Sequence, residues 1–269
     1  MSPAVYSTKG LGHSFGSLEV LRGLDFRIKA GEILGIAGPN GSGKSTLLSL
    51  LSGYLKPSLG ELSFRGAPLG NLTDKDRARQ ISHVSQNFSS TFPFTVRELV
   101  EMGRYPHATT GLFGRSPDDE GSISRAMDMA GITHLADREI TRISGGELQR
   151  VFIAKAFATE PRVLLLDEPT ASLDMKYQTT IMEKARDFTR EKNRTAVAVL
   201  HDLNLASSYC DRILLLNKGE IAALGSPKDV LNYDLLKKVF DTEMYIGVLD
   251  HIERPFVIPI SKVETHMLS

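Results

Sequence analysis

The residues with the clearest chemistry are Gly38-Pro39-Asn40-Gly41-Ser42-Gly43-Lys44-Ser45, which satisfy the spacing G-x-x-x-x-G-K-[ST]. Such a glycine-rich turn lets successive main-chain N–H groups converge on one point, and a helix starting there adds the positive end of its dipole. The ligand that suits this loop is a chain of phosphates. Lys44 can reach the β- and γ-phosphates, Ser45 is left to bind Mg²⁺, and Thr46 opens the helix beside them.

Two further segments carry acids or a histidine to strand ends. Arg162-Val163-Leu164-Leu165-Leu166-Asp167-Glu168-Pro169 reads as a buried strand ending in two carboxylates, and ligands of parallel sheets sit beyond the carboxyl ends of strands. Asp167 suits a Mg²⁺ shell, and Glu168 suits positioning and deprotonating an attacking water. Thr195-Ala196-Val197-Ala198-Val199-Leu200 is a similar strand that delivers His201-Asp202, and His201 there can hydrogen-bond a γ-phosphate oxygen. Ser144-Gly145-Gly146-Glu147 has the form of a capping box and predicts a helix through Ala158. Two glycines inside that box admit a ligand close to the backbone, so Ser144, Gly145 and Gly146 mark a second anion site, with a plain helix cap as the alternative.

The elements that must position these groups follow from periodicity. Ile33-Leu34-Gly35-Ile36-Ala37 predicts a fully buried strand ahead of the glycine-rich turn, and Thr46 to Leu51 a helix closed by Gly53. Leu24, Phe26 and Ile28 alternate with Asp25, Arg27 and Lys29, as in a half-buried strand of an antiparallel N-terminal sheet. Phe15 in that region could stack on a nucleobase, although taken alone a core phenylalanine is the better reading. Ile81 to Ser85 reads as a strand that Gln86 ends; the Gln86 oxygen can bind Mg²⁺ or the attacking water. From Asn87 to Arg142 we expect a mostly helical insertion: Phe88, Phe92, Pro93 and Phe94 crowd together, a helix begins at Thr95, a loop covers Gly103 to Pro117, and a helix follows from Gly121 to Ala130. The turn Ser172-Leu173-Asp174 precedes another helix; Arg212 to Asn217 and Glu220 to Leu224 form a hairpin across Lys218-Gly219; short helices start at Ser226 and near Leu235.

Composition narrows the classes. Lys plus Arg equals Asp plus Glu at 32 each in 269 residues, so no overall field attracts nucleic acid or an anionic membrane surface. No apolar run approaches the roughly 18 to 20 residues that span a bilayer, and we expect a soluble chain that is not exported. Cys210 stands alone and reads as a small buried residue. The seven histidines never pair at metal-ligand spacing, so a metal is expected to arrive with the nucleotide.

Gly38 to Ser45, Gln86, Ile143-Ser144-Gly145-Gly146-Glu147-Leu148-Gln149-Arg150, Val163 to Glu168, Ser172-Leu173-Asp174 and His201 stand in the order shown by ATP-binding-cassette (ABC) ATPases. The chain resembles the nucleotide-binding subunit of an ABC transporter over nearly its whole length. It departs from the commonest signature by Ile143 for Leu and Glu147 for Gln, both outside the Ser-Gly-Gly contacts. The resemblance implies an α/β phosphate-loop fold with a mixed core sheet, an N-terminal antiparallel β region and an inserted α-helical lobe. Within a single cassette of residues 1–269, it gives a core of 1–86 and 143–227, a lobe of 87–142 and a C-terminal extension of 228–269. It implies ATP and Mg²⁺, with Phe15 stacking on the base, Tyr6 as its fallback, and Asp174 joining the nucleotide contacts. It implies head-to-tail pairing of two copies, so that Ser144 and its glycines cap the nucleotide on the partner's loop. Phe92-Pro93-Phe94-Thr95-Val96-Arg97-Glu98-Leu99-Val100, Gly103-Arg104-Tyr105-Pro106-His107 and Pro255-Phe256-Val257-Ile258-Pro259 are similar to importers of siderophores, haem and vitamin B12. That implies an ATPase at the cytoplasmic face of the membrane, a membrane permease docked on the lobe, and a substrate-binding protein outside. An ABC ATPase for another cargo, or a soluble ABC protein without transport, is the alternative.

Overall fold

The computed structural model describes residues 4–85, 92–108, 117–170, 173–191, 194–248 and 253–260. The chain forms two compact units, residues 1–69 with 197–269 and residues 70–196.

In the first unit, β1 (Ala4–Phe15) is the strand on which β2 (Leu18–Leu24) and β3 (Arg27–Lys29) pair antiparallel, one at each end. The alternation of Leu24, Phe26 and Ile28 is visible in their burial, but they do not make one strand. At the joint the Asp25 carboxylate accepts from Gly10 N at 2.7 Å, and Phe26 N donates to Thr8 Oγ1 at 2.9 Å. Side-chain bonds thus join the main-chain bond of Thr8 N to Phe26 O at 3.0 Å while the chain moves from pairing Leu11 with Leu24 to pairing Ser7 with Arg27. The buried strand β4 (Ile33–Ala37) leads into the glycine-rich turn and α1 (Lys44–Leu51). β5 (Leu59–Phe64) and β6 (Ala67–Pro68) complete the antiparallel sheet.

The second unit begins with α2 (Asp74–Gln80), capped by Thr73, and β7 (Ile81–Val84). Next comes α3 (Val96–Glu101), opened by a capping box of Thr95 and Glu98, and then α4 (Pro117–Met129). Both pack on α5 (Gly145–Ala158), the helix predicted from the Ser144 box. The stretch expected to be loop from Gly103 is instead a run of 3₁₀ turns over Met102–His107. Arg104 fixes it by donating to Asp119 Oδ1 at 2.7 Å and to Ala158 O at 2.8 Å, which ties the turns to α4 and to the end of α5. The buried strand β8 (Val163–Asp167) runs parallel to β7, and α6 (Met175–Arg190) buries Ile181, Met182, Ala185 and Phe188 as expected. β9 (Thr195–Val199) contains the division between the units. Here the strand order is β9-β8-β7.

The chain returns to the first unit through α7 (Leu203–Tyr209), which sequence periodicity did not reveal. Asp202 caps it, its Oδ1 accepting from Asn204 N at 2.7 Å and Leu205 N at 3.2 Å. β10 (Arg212–Asn217) runs parallel to β4 and antiparallel to β11 (Glu220–Gly225). Lys218 and Gly219 both take left-handed φ, 48° and 83°, as a two-residue hairpin turn requires. The order on this side is β11-β10-β4-β9, so the sheet is mixed. Short helices α8 (Pro227–Val230) and α9 (Tyr233–Phe240) precede the hairpin of β12 (Met244–Val248) and β13 (Pro255–Pro259). Asn204 holds that hairpin to α7 through both Val257 main-chain groups, at 2.8 and 3.1 Å. Cys210 is buried, as expected of a small apolar residue. Among the described residues no helix is long and apolar enough to cross a membrane.

Candidate functional site

The glycine-rich turn is shaped by close approach as much as by its sequence. Gly38 has φ 148°, and a Cβ there would lie 2.2 Å from Leu216 O; at Gly43, with φ 97°, it would lie 2.5 Å from Leu21 Cδ2. A side chain at position 38 would collide with the β10 backbone, while at position 43 the Leu21 tip could move aside and the left-handed φ is what favours glycine. Gly43 is also the N-cap of α1, so no side chain caps this helix, and its first turn carries no acid. The Lys44 ammonium folds over the turn and donates to Gly38 O and Pro39 O, both at 2.9 Å. Ser42 Oγ is buried and has no hydrogen-bond partner among the described residues. Asn40, Gly41 and Ser45 are exposed, with Pro39 and Thr46 half-buried. An uncapped helix start, a preorganised cation, an unsatisfied hydroxyl and the absence of a first-turn carboxylate fit a phosphate chain, with Ser45 accessible to Mg²⁺.

In the same unit Leu200 N donates to Ile36 O at 3.0 Å, which sets the end of β9 beside the end of β4. The exposed His201 therefore emerges at the same sheet end as the phosphate loop. Phe15 ends β1 and is 51% exposed, its ring edge-on to His13 at 4.7 Å and 81°. This corrects the core reading that the residue alone favoured. Tyr6 is fully buried, donates to Leu51 O at 2.8 Å, and has its phenol pushed well above the ordinary range by burial. It has no free face for a base and is excluded as the fallback. Stacking contributes about 1 to 3 kcal/mol per base, so Phe15→Ala should raise the Kd for ATP by about 5- to 150-fold. Calorimetric titration checks this, and an unchanged Kd would place the base elsewhere.

The second unit holds the signature helix and the acids. The Ser144 hydroxyl accepts from Glu147 N at 3.3 Å and donates to Glu147 Oε2 at 2.8 Å; the same carboxylate accepts from Ser144 N at 2.8 Å. Those donors hold the Glu147 carboxyl below its ordinary range. The box, an alternative to an anion site when read from sequence, is thus present, and Ser144 and Gly145 remain exposed with Gly146 half-buried. Asp167 ends β8 and is buried, while Glu168 follows with a left-handed φ of 51°. Asp174 caps α6, accepting from Tyr177 N at 3.1 Å. Gln86, expected to bind Mg²⁺ or water, lies outside the described residues, as do Ser172 and Phe88.

Sequence reasoning passed over Gln149 and Arg150. Gln149 Nε2 donates to Glu168 O at 3.3 Å; Arg150 Nη1 donates to Gly131 O at 3.0 Å, and its guanidinium lies 4.0 Å from the Tyr177 ring centre. The available signal was two long polar side chains directly before Val151, Ile153 and Ala154 on the buried face of α5.

A family model described as ABC transporter matches residues 21–171. The chain belongs to the ABC transporter family. It is 43% identical to the hemin import ATP-binding protein of Nocardia farcinica over 240 residues, 89% of this chain and 81% of that one. It is 38% identical to the ferric enterobactin transport ATP-binding protein of Escherichia coli, with 92% and 91% covered. It is 40% identical to a cobalamin import ATP-binding protein of Halobacterium salinarum over 88% of this chain, and there it spans only 59% of the relative's length. Among solved structures, an inward-facing ABC transporter provisionally assigned to the metal-chelate type superposes with TM-score 0.81 at 31% identity, covering 97% of this chain and 99% of that one. A dimeric ATP-binding cassette with ADP and phosphate gives 0.74 at 30% identity, covering 82% and 98%. The family's cassette fold binds ATP, and its cassettes form dimers.

Proposed function

We propose that this chain is the ATP-hydrolysing subunit of an ABC importer that takes up a metal chelate, a siderophore, haem or cobalamin, through a separate membrane permease. ATP-binding subunits of this family hydrolyse ATP to power transport, and the relatives named above are import or transport subunits for such chelates. The observation that carries the reading is the uncapped start of α1, with no acid in its first turn and Lys44 folded over the glycine-rich turn, together with Glu168 at a strand end.

In this reading Gly38 to Thr46 hold the phosphates and Lys44 compensates their charge. Ser45, Gln86 and Asp167 would hold Mg²⁺, which supplies neutralisation of the charge on the β- and γ-oxygens. Glu168 accepts the proton of the attacking water, His201 donates to a γ-phosphate oxygen, and Phe15 stacks on the base. Ser144, Gly145, Gly146 and Asp174 act on the nucleotide held by a second copy, paired head to tail. The balance of 32 basic and 32 acidic residues supports a protein partner over nucleic acid. The protein works at the cytoplasmic face of the membrane, fed indirectly by a substrate-binding protein outside.

The lobe of residues 87–142 is the docking site for the permease. Phe92 is 67% exposed and Tyr105 43%, with Phe94 half-buried and its ring 6.0 Å from that of Phe92. Apolar rings left at a surface are characteristic of a partner site. Replacing Phe92 and Phe94 by Ser should leave ATP binding by the isolated subunit unchanged while transport and permease-stimulated ATPase fall. A folded double variant that transports at the parental rate would move the docking site elsewhere. The function itself is tested by co-purifying the permease and measuring uptake of haem, a ferric siderophore and cobalamin by vesicles containing ATP. Uptake of none of the three would leave an ABC ATPase for another cargo.

A further inference from the structure

Glu168 sits in a backbone conformation that its own sequence opposes. It is neither Gly nor Asn yet has φ 51°, and the residue after it is Pro169, whose ring disfavours helical conformations in the preceding residue. A conformation of that kind persists only where surrounding structure holds it. Gln149 reaches it from α5: 6% exposed, it donates from Nε2 to Glu168 O at 3.3 Å. The helix it stands on is itself fixed, because the neighbouring Arg150 donates to Gly131 O at 3.0 Å and lies 4.0 Å from the Tyr177 ring centre. The platform that carries Gln149 begins at Ser144, one and a half turns earlier.

We propose that Gln149 is a positioning residue for hydrolysis: its side-chain amide holds the Glu168 peptide in the left-handed conformation and so places the Glu168 carboxylate, linking it to the helix that starts at Ser144. This rests on the role given to Glu168 above. The carboxylate leaves Cα in a direction set by φ and ψ, and a displacement of about 1 Å at a reacting group costs on the order of 10² in rate. Gln149 therefore acts on kcat and leaves ATP affinity alone.

The test has two arms, each run with Gln149→Met, of similar length but without an N–H donor, and with Gln149→Glu, which lacks the donor when ionised. The first arm is thermal unfolding of the nucleotide-free protein and needs no turnover. Gln149→Met should lower Tm by about 2 to 4 °C in a Glu168→Gly background, where glycine keeps the left-handed φ and its carbonyl loses the full bond, and by clearly less in the parent, where Glu168 relaxes out of the strained conformation once the brace is gone. Equal decrements in the two backgrounds overturn the proposal. In the second arm Gln149→Met should lower kcat about 10²-fold with KM for ATP unchanged. It should change the residual rate of Glu168→Gln by less than about twofold, since interacting residues are non-additive. A full further loss on top of Glu168→Gln, or a loss confined to KM, also overturns it. A parent without any ATP turnover would refute the proposed function instead, while the unfolding arm still decides the Gln149 brace.

Discussion

The Glu168→Gln protein should bind ATP as tightly as the parent, turn it over about 10²- to 10⁴-fold more slowly, and accumulate as an ATP-bound dimer. The substitution keeps the length and shape of the side chain and removes only its capacity to take a proton, so contacts that hold phosphate in the ground state survive. A loss in kcat with unchanged KM is the signature of an interaction made in the transition state. Two copies that close on ATP then have no route to open by hydrolysis. Size-exclusion chromatography with ATP and Mg²⁺ reads the dimer directly, and a Glu168→Gln protein no more dimeric than the parent would contradict a site completed by two chains. His201→Ala should slow turnover in the same assay through its lost γ-phosphate contact.

Lys44→Ala should weaken ATP binding by about one to two orders of magnitude. Lys44 is 6% exposed, and its ammonium is already held at the turn by Gly38 O and Pro39 O. Little side-chain entropy remains to be lost when phosphate arrives. An ammonium has three donors and two of them are held by Gly38 O and Pro39 O, so the net gain is about one charged bond, roughly 1.5 to 3 kcal/mol or about 10- to 150-fold in Kd. Calorimetric titration on a variant with unchanged Tm measures this. A Kd within a few-fold of the parent would show that the main-chain amides and the helix start carry the binding without the lysine.

What could be read before the fold was known depended on how local its cause is. The phosphate loop, the Ser144 box, the buried strands β4, β8 and β9 and the Lys218-Gly219 hairpin each follow from residues within a few positions of one another, and each stands where the sequence placed it. The break between β2 and β3 was hidden, because it depends on Thr8 and Gly10, more than a dozen residues upstream of Asp25 and Phe26. The 3₁₀ turns at Met102–His107 were hidden for the same reason, being held by Asp119 and Ala158. α7 has seven residues, too few to display a helical period, and only its Asp202 cap marked it. Phe15 shows the opposite case: the residue type favours burial, and its exposure follows from its place at the end of β1 before the turn to β2. Gln149 could not have been assigned from sequence, since its role depends on the φ of a residue on another strand end.

The most direct measurement on a site shared by two copies is nucleotide occupancy in mixed dimers. Pairing a Lys44→Ala chain with a Ser144→Arg chain puts both lesions into one composite site and leaves the other whole. Pairing a chain that carries both substitutions with a parental chain damages one element of each site. With isotopically marked ATP and Glu168→Gln in every chain to stop turnover, the first arrangement should retain about one tightly held nucleotide per dimer and the second close to none. Equal occupancy in the two arrangements would contradict the head-to-tail site.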